Sequence, residues 1–133
     1  MMKKTKLKTL AVVFAITMLC TGTVTALAGG KYGKLGNYSV AAETYANSTT
    51  YSGMARTVSS SYDVYTSVVG NYDYYDSITG NGDMLYDSSY GMYGSEVTFS
   101  LPTGYDRASS VSAEHVAKYD TQKWECMTIA YFD

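Results

Sequence analysis

Beyond residue 28 the chain has three leucines, two isoleucines and two phenylalanines, but all fifteen of its tyrosines. That shortage governs what can fold. A domain core cannot be filled by so few large aliphatics, so aromatic rings must supply part of the buried volume. The eight valines of the same region lie mostly in runs that alternate with polar residues. Strict alternation is the signature of a half-buried strand, and β-branched and aromatic side chains suit a pleated surface. Leu, Ile, Val and Phe together make only 15 of the 105 residues after position 28, a share in the range of disordered chains, and it is the tyrosines and the alternation that argue against disorder.

The first 28 residues have a different character. Lys3, Lys4, Lys6 and Lys8 form a basic start, Leu10 to Leu19 is almost wholly apolar, and Ala26-Leu27-Ala28 is a small-x-small cleavage site. This is the pattern of a secretory signal peptide. Its lysine-rich start resembles, in composition, the leaders of secreted Gram-positive bacterial proteins. The apolar run is shorter than the about 20 residues of a membrane-spanning helix, and no second such run follows. Cys20 follows Leu19, which is too large for a lipidation site, so the cysteine belongs to the removed leader. Cleavage after Ala28 would leave 105 residues with six basic and twelve acidic side chains. A surface of charge −6 lacks the basic footprint that nucleic acid requires, and it disfavours docking on anionic lipid. Cys126 would be the one remaining cysteine, which rules out an internal disulfide.

Residues 29–36 (Gly-Gly-Lys-Tyr-Gly-Lys-Leu-Gly) read as a flexible glycine-rich leader to a single domain over 37–133. Strands are expected from Tyr38 to Tyr45, within Thr49 to Ser60, and from Tyr62 to Val69. Gly70-Asn71 leaves open whether the third continues to Asp76. Gly80-Asn81-Gly82-Asp83 is the strongest turn signal. A short strand near Met84–Tyr86 and a loop over Asp87–Gly94 follow. Glu96 to Leu101 is a strand ended by Pro102-Thr103-Gly104. Ala108–Tyr119 and Lys123–Phe132 form a hairpin around Asp120-Thr121. In the last strand Trp124, Cys126, Thr128, Ala130 and Phe132 are expected to face inward. Met127, Ile129 and Tyr131 suggest burial on the other face as well. No helical period appears. Six to eight short strands imply an all-β chain, a small antiparallel β-sandwich of Ig-like or Greek-key style, with a small barrel as the alternative.

No phosphate-binding loop, dinucleotide fingerprint, zinc spacing or nucleophile elbow is present, and no cofactor is implied. His115 and Cys126 fall on neighbouring strands, the one conceivable nucleophilic pair. Asp73, Asp76, Asp83 and Asp87 surround the tight turn and are a weak calcium candidate, because hard cations need converging carboxylates and turns use the same residues locally. The sequons at Asn37 and Asn47 would be chance matches if the chain is bacterial, as the composition of its leader suggests. With no catalytic set, a non-enzymatic recognition module is the leading expectation. Its partner would be an extracellular glycan, the cell wall or a protein. Tyr72, Tyr74, Tyr75, Tyr86, Tyr90, Tyr93 and Tyr105, expected in or near loops, are its candidate surface, since a rigid amphipathic ring gives contact area at low entropic cost. Small size, the leader, the glycine-rich start and the aromatic end (Tyr131, Phe132) faintly resemble the lactococcin-972-like group of small β-sandwich bacteriocins. That resemblance implies an antibacterial role as a second reading. Self-assembly through edge strands is a third. Mass spectrometry of the exported protein should find Gly29 as its first residue; an intact N-terminus would instead mark an uncleaved anchor.

Overall fold

The computed structural model describes residues 26–133. The leader assignment falls almost entirely on residues 1–25, which lie outside the described residues. Eight strands account for most of the chain. They are β1 (Ala26–Leu35), β2 (Tyr38–Asn47), β3 (Ser52–Ser59) and β4 (Tyr65–Tyr75), then β5 (Gly82–Met92), β6 (Gly94–Phe99), β7 (Arg107–Tyr119) and β8 (Gln122–Tyr131). They form two antiparallel four-stranded sheets, ordered β1-β2-β3-β6 and β5-β4-β7-β8. The sheets pack face to face as a small β-sandwich. The pairs β3–β6 and β4–β7 join strands distant in sequence.

The inner faces follow from strand alternation. Thr66, Val68, Gly70, Tyr72 and Tyr74 of β4 point inward, as do Val111, Ala113, His115 and Ala117 of β7. A register shift between Asp73 and Tyr74 inserts Ser109, which returns Ala108 to the inner side. Tyr72 is fully buried and holds the centre. Its ring stacks on Phe99 at 5.5 Å and meets Phe132 edge-on at 5.9 Å. Its hydroxyl donates to the Tyr51 carbonyl oxygen, so the polar tip of the ring is satisfied inside the core. Tyr74 extends the cluster, with Tyr105 edge-on at 4.5 Å. A second, smaller apolar cluster gathers Leu35, Val40, Val64 and Ala117, with Tyr38 and Trp124 against it.

Three expectations are corrected. Residues 29–35 are not a flexible leader. They belong to β1, which pairs with β2 throughout and lies along β8. A β-carbon on Gly29 would overlap the Ile129 carbonyl oxygen, and one on Gly33 the Trp124 indole nitrogen. The glycines therefore serve a close approach of two strands. Second, Asp87–Met92 is not a loop but the second half of the eleven-residue β5. Backbone pairing to β4 extends this edge strand where its own side chains carry no apolar alternation. Third, β8 is buried on one face only. Thr128 and Ala130 are inside, whereas Met127, Ile129 and Tyr131 are exposed. The open question at Gly70-Asn71 resolves as a continuous β4 to Tyr75.

The hairpin turns carry the expected chemistry with one shift. The β4–β5 connection spans residues 76–81, and its positive φ of 77° sits at Gly80. Asp120 takes a φ of 55° between β7 and β8.

Tyr72→Ala should cost about 3–5 kcal/mol in urea denaturation, as for other large aromatic truncations in a core. Tyr72→Phe, which loses only the bond to Tyr51, should cost about 1 kcal/mol. Equal costs for the two would show that ring packing does not centre the core.

Candidate functional site

The seven tyrosines proposed as a recognition surface divide according to strand parity. Tyr72 and Tyr74 are inward-facing core residues, 0% and 8% exposed, and cannot contact a partner. Burial, with Tyr74 nearby, pushes the Tyr72 phenol up to about 12. Tyr105 is half-buried against Tyr74. Tyr93 is the one residue between β5 and β6 and has a φ of 76°. Its amide donates to the Val64 carbonyl and its carbonyl accepts from Ser59 N–H, so it turns the chain from one sheet into the other. Its ring stacks on Tyr62 at 4.6 Å. Tyr75, Tyr86 and Tyr90 remain. All three lie on the outer face of the β5-β4-β7-β8 sheet.

That outer face is an open, slightly amphipathic surface. Along β5 the outward residues are Met84, Tyr86, Ser88, Tyr90 and Met92; the two methionines and two tyrosines are 51–77% exposed. Behind them β4 presents Tyr65, Ser67, Val69, Asn71, Asp73 and Tyr75. Tyr65 tilts against Tyr90 at 6.3 Å between ring centres. Across β7, with Val116, Glu114 and Ser112, the face ends on β8 at Met127, Ile129 and Tyr131. Sequence reasoning overlooked the methionines and Ile129. Their signal was their parity with Tyr86 and Tyr131. A cavity of about 200 Å³ does lie among Tyr45, Gly53, Met54 and Phe99 at the end of the other sheet. It is smaller than the roughly 300–1,000 Å³ of usual small-molecule pockets.

The other sheet differs. A cross-strand row joins Glu43, Arg56 and Glu96 of β2, β3 and β6. Arg56 lies 3.7 Å from Glu43 and 3.9 Å from Glu96. Tyr45 donates to Glu43 Oε2 at 2.7 Å. Burial still holds the Glu43 carboxyl above its ordinary range, against the opposing pull of Tyr45 and Arg56.

The carboxylates proposed for calcium do not converge. Asp73 lies on the outer face of β4, where Ser110 donates to it. Asp83 and Asp87 lie on the opposite face of β5, each accepting from the next residue's N–H. Asp76 sits in the turn and accepts from Ile78 N–H. Among the described residues no group of three or more His, Cys, Asp or Glu is arranged to hold a metal ion.

His115 and Cys126 are direct cross-strand partners, as expected, but they do not form a nucleophilic pair. The histidine is fully buried between the two apolar clusters. Thr57 Oγ1 donates its single proton to the Ser67 carbonyl at 2.8 Å. It can therefore only accept from His115 Nδ1, 2.9 Å away. That places the ring proton on Nδ1 and makes Nε2 the acceptor of the Thr128 hydroxyl at 2.6 Å. Both nitrogens are occupied, and burial raises the Cys126 thiol above its usual value, away from the thiolate that chemistry needs. Burial lowers His115 to about 4, partly opposed by a backbone bond at Arg56.

Comparison with protein-family models, with curated proteins and with solved structures gave no match.

His115 is the single histidine of the chain, so NMR can follow it without ambiguity. Its ring should stay neutral, protonated on Nδ1, down to about pH 4. Because the unfolded ring takes its proton near 6.5, the folded state should lose stability as pH falls from there toward 4. The loss should be on the order of 3 kcal/mol. The raised Glu43 acts in the opposite sense, since acid relieves its buried charge. Titration of His115 near 6.5 in the folded protein would contradict the assignment.

Proposed function

We propose that this chain is a secreted, non-catalytic β-sandwich that recognises an extracellular partner. The partner is a glycan, a cell-wall polymer or a protein, and it is contacted by the outer face of the β5-β4-β7-β8 sheet. One observation carries the reading. Two tyrosines and two methionines stand 51–77% exposed in a line along β5, on a chain otherwise short of large apolar side chains. Exposed apolar area of this kind commonly marks an interaction site. Tyrosine suits it, since the ring contributes area for stacking while its hydroxyl reaches water or a polar partner. Ser67, Asn71, Ser88 and Ser112 between the rings add adaptable hydrogen bonding. The leader pattern in residues 1–28 supports an extracellular setting, and the occupied His115 nitrogens support a role without catalysis.

The test is binding to purified cell-wall polymer and to a glycan array, with Tyr86→Ala and Tyr90→Ala combined. The double variant should bind at least about tenfold more weakly, the loss expected of a central aromatic anchor. Its melting temperature should be unchanged, because both rings are exposed. Tyr32→Ala, exposed on the other sheet, should bind as the parent does. Undiminished binding by the double variant would remove this face from the account.

A further inference from the structure

The outward face of β5 is symmetric about Ser88. Its residues read Met84, Tyr86, Ser88, Tyr90, Met92. β5 is also an edge strand. It is eleven residues long, it pairs with β4 alone among the described strands, and most of it is exposed on both faces. Every second residue of such a strand presents its N–H and C=O to an unpaired edge. The opposite edge of the same sheet is shielded, because β1 lies along β8.

We propose that β5 pairs with β5 of a second copy of this chain, antiparallel, about a two-fold axis through Ser88. A two-fold contact must be self-complementary, and this register makes it so. Tyr86 faces Tyr90 of the second copy, Met84 faces Met92, and the serine faces itself. Aromatic and apolar cross-strand pairs of this kind stabilise a sheet. The opposite face also agrees. Asp83 and Asp87 are the charged residues of β5. They meet Tyr93 and Ser89 of the second copy, so no like charges oppose each other, and a serine hydroxyl can donate to each Asp87 carboxylate. Leu85 meets Gly91, a large residue against a small one. A register moved by two residues one way would set Asp87 against Asp87 at the axis; moved the other way it would centre on Ser89 and set Tyr90 against Ser88, losing the aromatic pairs. The product is a continuous eight-stranded sheet, with the tyrosine lines of both copies side by side. This pairing stands independently of what the face binds.

Analytical ultracentrifugation of the purified protein should show a monomer giving way to a dimer as concentration rises. Ser88→Lys, which sets two ammonium groups against each other at the axis, should stay monomeric and melt at the temperature of the dilute, monomeric parent. With a disulfide of low molecular weight, such as oxidised glutathione, as the oxidant that leaves as its two thiols, Ser88→Cys should form a dimer bridged between the two introduced thiols. It should form at least about tenfold faster than with Ile78→Cys, an exposed loop position that reports random collision, because pairing raises the local thiol concentration. A parent protein that remains monomeric at every concentration overturns the proposal, even if its β5 edge takes up an added extended peptide. A dimer indifferent to Ser88→Lys, or equal cross-linking rates, does the same. Ligand binding retained by the Ser88→Lys monomer would leave the recognition face intact.

Discussion

The sandwich depends on a tyrosine doing a leucine's work. Tyr72 fills the space between Phe99 and Phe132, and it is tolerated there because one backbone carbonyl, that of Tyr51, receives its hydroxyl. A phenol buried without that acceptor would carry a desolvation penalty of about 1–3 kcal/mol. Small residues fill the gaps between the packed rings. Ala55, Ala108, Ala113 and Gly70 line the aromatic cluster. Few aliphatics and many alanines and glycines are thus two sides of one packing solution.

Between the two apolar clusters the core is polar. Thr57, His115 and Thr128 form a closed relay in which each proton has one destination. Satisfied in this way, a buried polar layer fixes the relative position of the two sheets, because sliding either one breaks several bonds together. Thr57 sits on β3 and the other two on β7 and β8, so the relay ties one sheet to the other at mid-height.

Much of the architecture was legible in the sequence. Alternation at Val97 and Phe99 and in Trp124–Phe132 gave strands and faces correctly, and Asp120-Thr121 gave the last hairpin. Two of the three failures share one reason. Where side chains were uninformative, pairing to a neighbour decided the structure. Residues 29–35 lack bulk, and Asp87–Ser89 lack apolar alternation, yet both are held in ladders by β2 and β4. The candidate surface was half legible for a related reason. Tyr74 and Tyr75 are adjacent and of one kind, but a strand turns them to opposite faces, and only the confirmed continuation of β4 through Gly70 says which faces in. Of the expected set, Tyr75, Tyr86 and Tyr90 lie on the outer face, where Met84, Met92 and Ile129 lie with them.

The first strand has a consequence in time. Ala26, Leu27 and Ala28 lie in the β1 ladder opposite Asn47, Ala46 and Tyr45, and Gly29 presses on the backbone of β8. If the leader is removed after Ala28, the bond to be cut lies within a paired strand of the folded sandwich. A peptidase needs that bond extended and unpaired, so removal has to come before β1 docks. On that condition export, trimming and closure of the β1–β8 seam form an ordered sequence, in which the trimmed end is locked in place only after cleavage.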